Sequence, residues 1–392
     1  MSAVRNTPVR IGMVAGEPSG DLLAAQVMQG LQRAAGEPVF TGVGGPRMRT
    51  EGLQAWYPMD RLSVFGYVDA LRRLPSLVAL RADIRRRWLA DRPDVFVGID
   101  APDFNLGLEA ALRSAGVPTV HFVGPSIWAW RGERIHGIKR AVSHMLVVFP
   151  FEAALYRDAG IPVTYVGHPL ASVIPRRPDK AAARQRLNVE PSAMVLALMP
   201  GSRASEIRHL AGRFVAAARL LQQRNPALQI LVPMVNAERQ AQFEAMLPPQ
   251  GVPGLRCVQG GAYDVLAACD AVLVASGTAT LEAALFKRPM VIAYVVSSLA
   301  LWIMRRKSGQ SRPYLPWVGL PNVLAREFLV PEFLQDAATP DALADALWPM
   351  LTDTALVERL QQRFADMHET LACDTAAMAA EVILEVAKRG NT

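Results

Sequence analysis

The sequence VFVGIDAPDFN, residues 95–105, best indicates how this chain folds. Its first residues form an apolar run that is typical of a parallel strand buried on both faces of a sheet. The run ends at Asp100, Pro102 prevents the strand from continuing, and Asp103 can cap the helix that follows. A carboxylate at the end of such a strand faces the crevice where open α/β sheets bind ligands. We therefore predict that Asp100 is a general base, with a simple turn-capping role as the alternative.

The same alternation of apolar strands with helical patterns occurs in two runs of the chain. The predicted strands are 11–15, 39–43, 95–99, 119–123, 145–149 and 164–166 in the first run, and 194–198, 229–232, 255–258, 271–274 and 290–293 in the second. This alternation favours parallel sheets with right-handed crossovers. We expect an α/β protein with two Rossmann-like domains whose parallel sheets face one another across a cleft, followed by a helical C-terminal segment.

The predicted domain boundaries follow from length and proline content. A chain of 392 residues exceeds the size at which one core usually stops growing. Residues 169–178 contain three prolines and little periodicity, which is typical of a linker. We expect an N-terminal domain over 1–168, the linker over 169–178, a C-terminal domain over 179–360, and helices over 361–392 that can pack back on the N-terminal domain.

Composition excludes several classes of protein. The chain is 51% hydrophobic and 20% charged, which is typical of a folded enzyme and not of a disordered chain. Its three cysteines lack C-x-x-C spacing, so we expect a reducing compartment and no disulfide framework or zinc site. No secretory signal is visible, and the apolar stretch 289–304, read as a strand and a short helix, is too short to span a bilayer. A net charge of +7 suits anionic lipid or phosphorylated substrates, and no nucleic-acid-binding motif is present.

Two loops of the first run contain further candidate residues. The turn GEPSGD, residues 16–21, follows the first predicted strand, and Ser19 or Asp21 can cap the next helix. Because the turn lacks the G-x-G-x-x-G pattern, the sequence gives only a weak indication of a dinucleotide site. Glu17 and Ser19 should still face the crevice at the carboxyl end of the strand. The loop after the fourth strand contains WAWR, residues 128–131, which can stack on a sugar and flank a phosphate or can form buried anchors.

Two turns of the second run are typical of phosphate-binding sites. PGSR at 200–203 and SGTATLE at 276–282 each follow a predicted strand and precede a helix, whose N-terminus can hold an anion. Arg203 can pair bidentately with phosphate, and Glu282 can accept ribose hydroxyls. No D-x-D motif is present, so a metal held by paired carboxylates is not indicated. The predicted nucleotide-diphosphate site consists of Gly201, Ser202, Arg203, Ser276, Gly277, Thr278, Glu282 and Asn322.

Residues 61–92 combine an apolar stripe with many arginines. Pro75 is predicted to end one helix and Ser76 to cap a second. Basic flanks around an apolar stripe are typical of a membrane-surface element, although an ordinary amphipathic helix pair packed on the sheet explains the pattern equally well. The predicted membrane-contact residues are Val64, Phe65, Val68, Leu71, Leu74 and Leu77.

These motifs, in this order, resemble those of the lipid-A-disaccharide synthase family. They are VAGEPSGD (14–21), GVGGPRM (42–48), VFVGIDAPDFN (95–105), WAWR (128–131), VGHPL (166–170), MPGSRASEI (199–207), SGTATLEAAL (276–285) and LPN (320–322). The resemblance covers nearly the whole chain. It implies the two-Rossmann GT-B fold and the transfer of 2,3-diacylglucosamine from UDP to lipid X, which is 2,3-diacylglucosamine 1-phosphate. The implied products are a β-linked lipid A disaccharide 1-phosphate and UDP, so the transfer inverts the anomeric configuration.

The resemblance also implies roles for individual residues. Asp100 matches the family's proposed base, and Glu17 matches its second cleft carboxylate. Arg203, Glu282 and Asn322 match positions that are associated with UDP. The family acts without a cofactor on the cytoplasmic face of the inner membrane, which favours the lipid interpretation of residues 61–92. The expected partners are UDP-2,3-diacylglucosamine, lipid X and anionic lipid at the membrane surface but no nucleic acid, and a monomer and a homodimer both remain open.

Two other functions are compatible with this architecture. A UDP-N-acetylglucosamine epimerase has the same domain arrangement but does not need an apolar, basic surface at residues 61–92. A non-catalytic sugar-nucleotide binder would bind UDP equally well after Asp100→Asn and would show no turnover. Activity with the two acylated substrates separates both alternatives from the transferase.

Overall fold

The computed structural model describes residues 8–62, 67–129, 132–297 and 315–390, with the backbone alone for Tyr67–Arg73. The chain forms two compact units: unit 1 contains residues 1–169 and 371–392, and unit 2 contains residues 170–370. The predicted linker, 169–178, contains the short helix Pro169–Val173. The predicted boundary at 360 lies inside the helix Thr354–Leu371, and the chain returns to unit 1 only at the end of that helix. The helix continues through this point because its residues Leu360 and Phe364 are buried.

Within the described residues, unit 1 contains a seven-stranded parallel sheet in the order β3-β2-β1-β4-β5-β6-β7. Every residue of its central strand β4 is buried, as the continuous apolar sequence predicts. The edge strand β3 is not predicted from the sequence, because its QAWYP segment is only partly buried and has no continuous apolar run. The strands are β1 (Arg10–Ala15), β2 (Val39–Gly44), β3 (Gln54–Pro58), β4 (Val95–Ile99), β5 (Thr119–Phe122), β6 (His144–Val147) and β7 (Val163–Tyr165).

The helices of unit 1 connect these strands. As the sequence predicts, a helix follows the GEPSGD turn and another follows Asp100. The helices are α1 (Pro18–Ala35), α2 (Pro46–Thr50), α3 (Tyr67–Ala90), α4 (Pro102–Ser114), α5 (Ile135–Ala141) and α6 (Pro150–Asp158).

Helix α3 differs from the prediction, since it continues through Pro75. Proline removes one backbone hydrogen bond from a helix interior but does not by itself prevent the flanking turns from packing. Here Leu80, Ile84 and Trp88 in the following turns are buried in a core cluster together with Phe96 of β4. We infer that this packing stabilises a single helix where the sequence predicts two.

The predicted membrane-contact residues fall in and before α3. Val64 and Phe65 lie outside the described residues, and the side chains of Val68 and Leu71 are likewise not described. Leu74 is 54% exposed, whereas Leu77 is partly buried and packs against the core cluster. Leu77 therefore contributes to the core of unit 1, contrary to its predicted role as a membrane contact. Among the described residues, no helix is long and apolar enough to cross a membrane.

Within the described residues, unit 2 contains a six-stranded parallel sheet in the order β10-β9-β8-β11-β12-β13. The strands are β8 (Val195–Met199), β9 (Gln229–Met234), β10 (Leu255–Gln259), β11 (Ala271–Ala275), β12 (Met290–Tyr294) and β13 (Glu332–Leu334). The short strand β13 is absent from the prediction, because it has only three residues and none of them is fully buried.

Helices α7 to α15 follow the point near residue 169 at which the chain passes from unit 1 to unit 2. They are α7 (Pro169–Val173), α8 (Lys180–Arg186), α9 (Ala204–Arg224), α10 (Ala237–Glu244), α11 (Ala262–Ala268), α12 (Thr278–Leu285), α13 (Leu320–Ala325), α14 (Pro340–Thr352) and α15 (Thr354–Leu371). The short helix predicted after residue 293 falls on residues 298–314 and lies outside the described residues.

The last helix, α16 (Thr375–Arg389), belongs to unit 1 and packs against α1. The approach is close at Gly30, where an added Cβ atom would lie 2.4 Å from the carbonyl oxygen of Ala376. Any larger side chain at position 30 would therefore push the two helices apart. The two parallel α/β sheets and the helical C-terminal segment confirm the prediction of an α/β protein with two Rossmann-like domains.

Candidate active site

The sheet of unit 1 has a topological switch point between β1 and β4. The chain leaves β1 towards β2 on one side and leaves β4 towards β5 on the other, and open α/β sheets bind ligands where the order reverses in this way. Ala15 pairs with Ile99 at the carboxyl ends of the two strands. An added Cβ atom on Gly16 would lie 3.2 Å from the Cβ atom of Ala101. The turn that carries Glu17 and the turn that carries Asp100 therefore emerge side by side.

The backbone at this edge of the sheet is strained. Asp100 and Ala101 have φ angles of 52° and 43°, and Val123, just after β5, has a φ of 69°. Non-glycine residues rarely adopt positive φ, and each such residue costs on the order of 1–3 kcal/mol. Strain of this kind clusters at functional sites. Asp100 is half-buried, and its N–H donates to the carbonyl oxygen of Phe122 at 2.8 Å.

The two helices at this switch point begin differently from the prediction. Ala101 is the N-cap of α4, and Asp103 lies in the first turn, where it pairs with Arg134 at 2.6 Å. Glu17 is the N-cap of α1, and both Glu17 and Ser19 are exposed. Asp21 is not the cap that the sequence suggests, because its N–H lies inside the helix.

Asp21 instead organises the GVGGPRM motif. Its buried carboxylate accepts hydrogen bonds from the backbone N–H groups of Gly45, Arg47 and Met48 at 2.9–3.1 Å. A carboxylate at the N-terminus of a helix also interacts favourably with the helix dipole. Asp21 therefore fixes α2 against α1.

Three fully buried polar residues lie behind Asp100. Asn105 and Glu109 lie one turn apart on α4, and His121 lies on β5. The amide nitrogen of Asn105 donates to the carbonyl oxygen of Asp100 at 2.8 Å, and His121 Nδ1 lies 2.7 Å from Glu109 Oε1. Burial raises the pKa of the Glu109 carboxyl above its ordinary value. The sequence gives no sign of this group, because two polar residues in a helix and one in a strand form no local pattern until the fold brings them together.

The loop after β5 contacts α6 through aromatic side chains. Trp128 packs edge-on against Phe151 at a centroid distance of 5.4 Å, and its side chain hydrogen-bonds to Glu152. Burial raises the pKa of Glu152 to about 7. These contacts favour the interpretation of Trp128 as an anchor. Trp130 and Arg131 lie outside the described residues.

Unit 2 has an equivalent switch point between β8 and β11. Met199 pairs with Val274 near the carboxyl ends of these strands, and the two predicted phosphate-binding turns follow directly. The structure therefore places PGSR, residues 200–203, beside SGT, residues 276–278. Each turn begins a helix, the 21-residue α9 and the eight-residue α12.

The N-terminus of α9 is occupied by a side chain from its own first turn. Glu206 Oε2 accepts hydrogen bonds from the backbone N–H groups of Ser202 and Arg203 at 2.9 and 3.0 Å, and Glu206 Oε1 pairs with the Arg203 guanidinium at 2.9 Å. An added Cβ atom on Gly201 would lie 2.3 Å from the same carboxylate. The prediction that these N–H groups are open to a phosphate is therefore wrong for this conformation, because Glu206 already satisfies them.

Within the described residues, no side chain caps the N-terminus of α12. Gly277 is the N-cap with a φ of 141°, and no described atom lies within 4 Å of the position where its Cβ would be. Thr278 is exposed, whereas Ser276 donates a hydrogen bond from its hydroxyl to the carbonyl oxygen of Val318 at 3.1 Å. The open space in front of an uncapped helix N-terminus suits a phosphate group.

Asn322 does not present a free amide to a ligand. It is fully buried, its amide nitrogen donates to the carbonyl oxygen of Val330 and to Glu332, and its Oδ1 accepts from the N–H of Val330. Glu332 also accepts from the N–H groups of Val318 and Gly319 at 2.8 Å. Asn322 and Glu332 therefore shape the loop beside Ser276, and a direct contact of Asn322 with UDP is not compatible with these hydrogen bonds.

Glu282 lies one turn into α12 and is mostly buried. Burial raises the pKa of its carboxyl, and the hydrogen bond from Tyr263 acts in the opposite direction. Burial and the Glu282 carboxylate raise the pKa of Tyr263 to about 12. The pair places an acceptor and a hydroxyl next to each other behind the α12 N-terminus. In the part of the chain that the structure describes, no group of three or more His, Cys, Asp or Glu side chains is arranged to hold a metal ion.

Comparison with known proteins identifies relatives over the whole length of the chain. The model of a family described as lipid-A-disaccharide synthetase matches residues 11–383. A lipid-A-disaccharide synthase of Bordetella petrii is 65% identical over 387 residues, which cover 96% of this chain and 98% of that protein. A second one, from Aromatoleum aromaticum, is 52% identical over 382 residues, which cover 97% of this chain and 96% of that protein.

Solved structures with a similar fold are more distant in sequence. A UDP-GlcNAc 2-epimerase from Neisseria meningitidis bound to UDP-GlcNAc has a TM-score of 0.65 at 11% identity, with 97% of this chain and 100% of that chain covered. Anabaena HepE in complex with UDP and glucose has a TM-score of 0.57 at 15% identity with the same coverage. At these identities the likeness shows the fold alone, which is that of GT-B glycosyltransferases. The family match and the curated relatives show more: this chain belongs to the lipid-A-disaccharide synthetase family and is a glycosyltransferase of lipid A biosynthesis.

Proposed function

We propose that the protein transfers 2,3-diacylglucosamine from UDP to the primary hydroxyl of lipid X, with inversion at the anomeric carbon. The products are the β-linked lipid A disaccharide 1-phosphate and UDP. The donor sugar is α-linked to UDP and the product is β-linked, so one in-line displacement accounts for the stereochemistry. Membership of the family supports the substrates, and the geometry of the two switch points supports the assignment of residues below.

The observation that carries the assignment of the base is the position of Asp100. It lies at the switch point of unit 1, in a strained turn, with its carboxylate half-buried and its backbone held on both sides. A base must be held within hydrogen-bond reach of one hydroxyl, and a rigid strand end provides that. Glu17 emerges beside it and is the second candidate for contact with the acceptor.

The donor nucleotide is assigned to unit 2. We place the diphosphate at the open N-terminus of α12, with Gly277 and Thr278 as backbone donors, and the ribose near Glu282. Arg203 is 79% exposed and can turn from Glu206 towards the diphosphate. Two proteins of the same fold, the Neisseria epimerase and Anabaena HepE, have been solved with UDP-containing ligands, which supports a UDP sugar as the donor class.

The transfer then needs one proton acceptor and one group of anion stabilisers. The acceptor oxygen forms a bond to the anomeric carbon while the bond from that carbon to the UDP oxygen breaks. The acceptor proton passes to the Asp100 carboxylate, and the leaving UDP takes the bonding electrons. Arg203 and the α12 N-terminus stabilise the negative charge on UDP, so the mechanism requires no metal ion.

The acylated substrates favour a peripheral position on the cytoplasmic face of the inner membrane. Moving an acyl chain out of a bilayer costs about 0.8 kcal/mol of free energy per CH₂ group, so the enzyme must meet its substrates at the membrane surface. Leu74 and Val78 on α3 are exposed apolar residues, and the exposed Arg85 follows them on the same helix. Such a surface suits contact with anionic lipid, although Arg86 and Arg87 pair with Asp83 and contribute less free charge.

The direct test is an activity assay with defined substrates. Purified protein is incubated with UDP-2,3-diacylglucosamine and lipid X, and the acylated disaccharide 1-phosphate is detected by mass spectrometry. Asp100→Asn should lower kcat by roughly two to four orders of magnitude while UDP affinity barely moves. Asp103→Asn, which changes an exposed carboxylate in the same segment, is the matched control and should retain activity. Near-normal turnover of Asp100→Asn, or activity that EDTA abolishes, would refute the proposed mechanism.

A further inference from the structure

Asn105 lies at the junction of the two strands that form the switch point of unit 1. Its side chain is fully buried, and its amide nitrogen lies 2.8 Å from the carbonyl oxygen of Asp100 and 3.4 Å from those of Ile99 and Val14. These oxygens belong to the ends of both β1 and β4. Buried polar groups are costly unless they are hydrogen-bonded, so an amide in this position requires a reason.

The orientation of the amide follows from its surroundings. Within the described residues, Asn105 Oδ1 has no hydrogen-bond partner, whereas its nitrogen faces three carbonyl oxygens. Exchanging the two atoms would place an acceptor against three acceptors. The side chain therefore functions as a donor only, and one acceptor is left unsatisfied to achieve this.

The shortest of these hydrogen bonds goes to the carbonyl oxygen of Asp100, which lies in the strained turn. Asp100 and its neighbour Ala101 both have positive φ, which a side chain makes unfavourable. An N–H donor that is fixed on the carbonyl oxygen of Asp100 stabilises the turned peptide relative to an extended one. Asn105 can reach this oxygen because helical side chains lean towards the helix N-terminus, and it lies in the first turns of α4.

The neighbouring residues leave room for the amide and fix the helix face that carries it. Glu109, one turn further along α4, hydrogen-bonds to His121 on β5. On β4, an added Cβ atom at Gly98 would lie 2.1 Å from Glu109 Oε1 and 3.1 Å from the Cβ atom of Asn105. Only glycine at position 98 allows α4 to bring both polar side chains this close to the sheet.

We propose that Asn105 is a positioning residue for the transfer reaction: its amide holds the Asp100 turn in the conformation that directs the carboxylate at the acceptor hydroxyl. This inference rests on the proposed role of Asp100 as the base. Asn105 does not contact substrate and acts through the backbone of Asp100. Its removal should therefore lower kcat and leave the binding of the UDP sugar by unit 2 nearly unchanged.

The test uses Asn105→Asp, which has the same shape but donates a hydrogen bond only when protonated. A carboxyl buried against three carbonyl oxygens has a raised pKa, so the donor is present at low pH and lost as the pH rises. We expect kcat to be at least tenfold below wild type at pH 8, and the ratio of variant to wild-type kcat to increase as the pH is lowered. The KM for UDP-diacylglucosamine should stay within about threefold.

The ratio to wild type removes the titration of groups that both proteins share. Among the described residues, the ionisable groups around this region include Asp100, Glu17 on the adjacent turn, Glu109 with His121, Asp103 with Arg134, and Arg81 near Gly107. Asn105→Ala is a second test variant, because it removes the hydrogen-bond donor at every pH. Its kcat should be lower than that of wild type, and the ratio of the two should not rise as the pH is lowered. The control is Asn225→Asp, the same change after α9 in unit 2, which should give a pH profile parallel to wild type.

Three results separate the outcomes. An Asn105→Asp profile parallel to wild type, with Asn105→Ala close to wild-type kcat, overturns the positioning role. A loss that appears in KM with kcat preserved also overturns it, because a positioning residue acts on the chemical step. Full activity of Asp100→Asn would instead refute the proposed base, whatever the Asn105 variants show.

Discussion

The contact between Glu206 and Arg203 leads to a quantitative prediction about UDP binding. Glu206 accepts hydrogen bonds from two backbone N–H groups at the start of α9 and from the Arg203 guanidinium. A diphosphate that recruits Arg203 must compete with this carboxylate. Arg203 contributes to affinity only to the extent that its hydrogen bond to phosphate exceeds its existing ion pair.

The size of the effect follows from the exposure of the pair. A hydrogen bond between charged groups contributes about 1.5–3 kcal/mol. The Arg203 side chain is 79% exposed and that of Glu206 is 23% exposed, and an ion pair this open to solvent is worth about 0.2–1 kcal/mol. Arg203→Ala should therefore weaken UDP binding by about 0.5–2.8 kcal/mol, which corresponds to roughly 2- to 110-fold in Kd. Glu206→Gln should strengthen binding, but only by about 1.5- to 5-fold.

Isothermal titration calorimetry with UDP can measure both changes. Glu206→Gln should change the Kd less in the Arg203→Ala background than in the wild-type protein, because Arg203, the group for which Glu206 competes with UDP, is then absent. Arg208→Ala, which removes an exposed arginine from the same helix, is the control and should leave Kd within about twofold. An increase of Kd by more than tenfold on Glu206→Gln would refute the competition and would show that Glu206 builds the site instead of blocking it.

Two further predictions concern the surface of α3 and the buried carboxyl of α6. Leu74→Ser should leave the melting temperature unchanged and reduce sedimentation with anionic vesicles, whereas Leu77→Ser should lower stability by on the order of 1–3 kcal/mol because Leu77 packs on the core. Equal vesicle binding of wild type and Leu74→Ser would remove Leu74 from the membrane surface. For Glu152, the folded-state pKa is raised from 4.5 to about 7, so the folded state binds the proton more tightly and its stability decreases as the pH rises from about 4.5 to about 7. Glu152→Gln should remove this dependence and gain on the order of 1–3 kcal/mol relative to wild type between pH 5 and pH 8, and thermal melts that show no such relative gain would contradict the assignment.

Much of the fold could be predicted because burial on both faces leaves a clear trace in the sequence. β4 is predicted at its observed bounds, since a short apolar run between polar turns is typical of a parallel strand buried on both faces. The edge strands β3 and β13 were not predicted, because short, partly buried strands depend on a neighbour and not on their own pattern.

The candidate site was predictable to a smaller degree. The turns that carry Asp100, Arg203 and Gly277 could be found, because polar and small residues directly after buried strands mark the edge where ligands bind. The hydrogen-bond partners of the side chains in these turns could not be predicted from the sequence. Glu206 was not recognised as the residue that occupies the start of α9, and the buried hydrogen bonds of Asn322 leave it no free group for UDP.

The sequence by itself determined the buried inner strands, most of the helices that follow them, the two parallel α/β units and the turns at the ends of those strands, because these depend on local hydrophobic patterns and on the fixed handedness of crossovers. Only the tertiary structure decided that β1 lies beside β4 and β8 beside β11, which brings the candidate turns together in pairs. It also decided that Asn105 reaches the carbonyl oxygen of Val14 across 91 residues of sequence. Hydrogen bonds between such distant groups depend on distance and angle, which no local pattern encodes, because they exist only after strands that are far apart in the chain have paired.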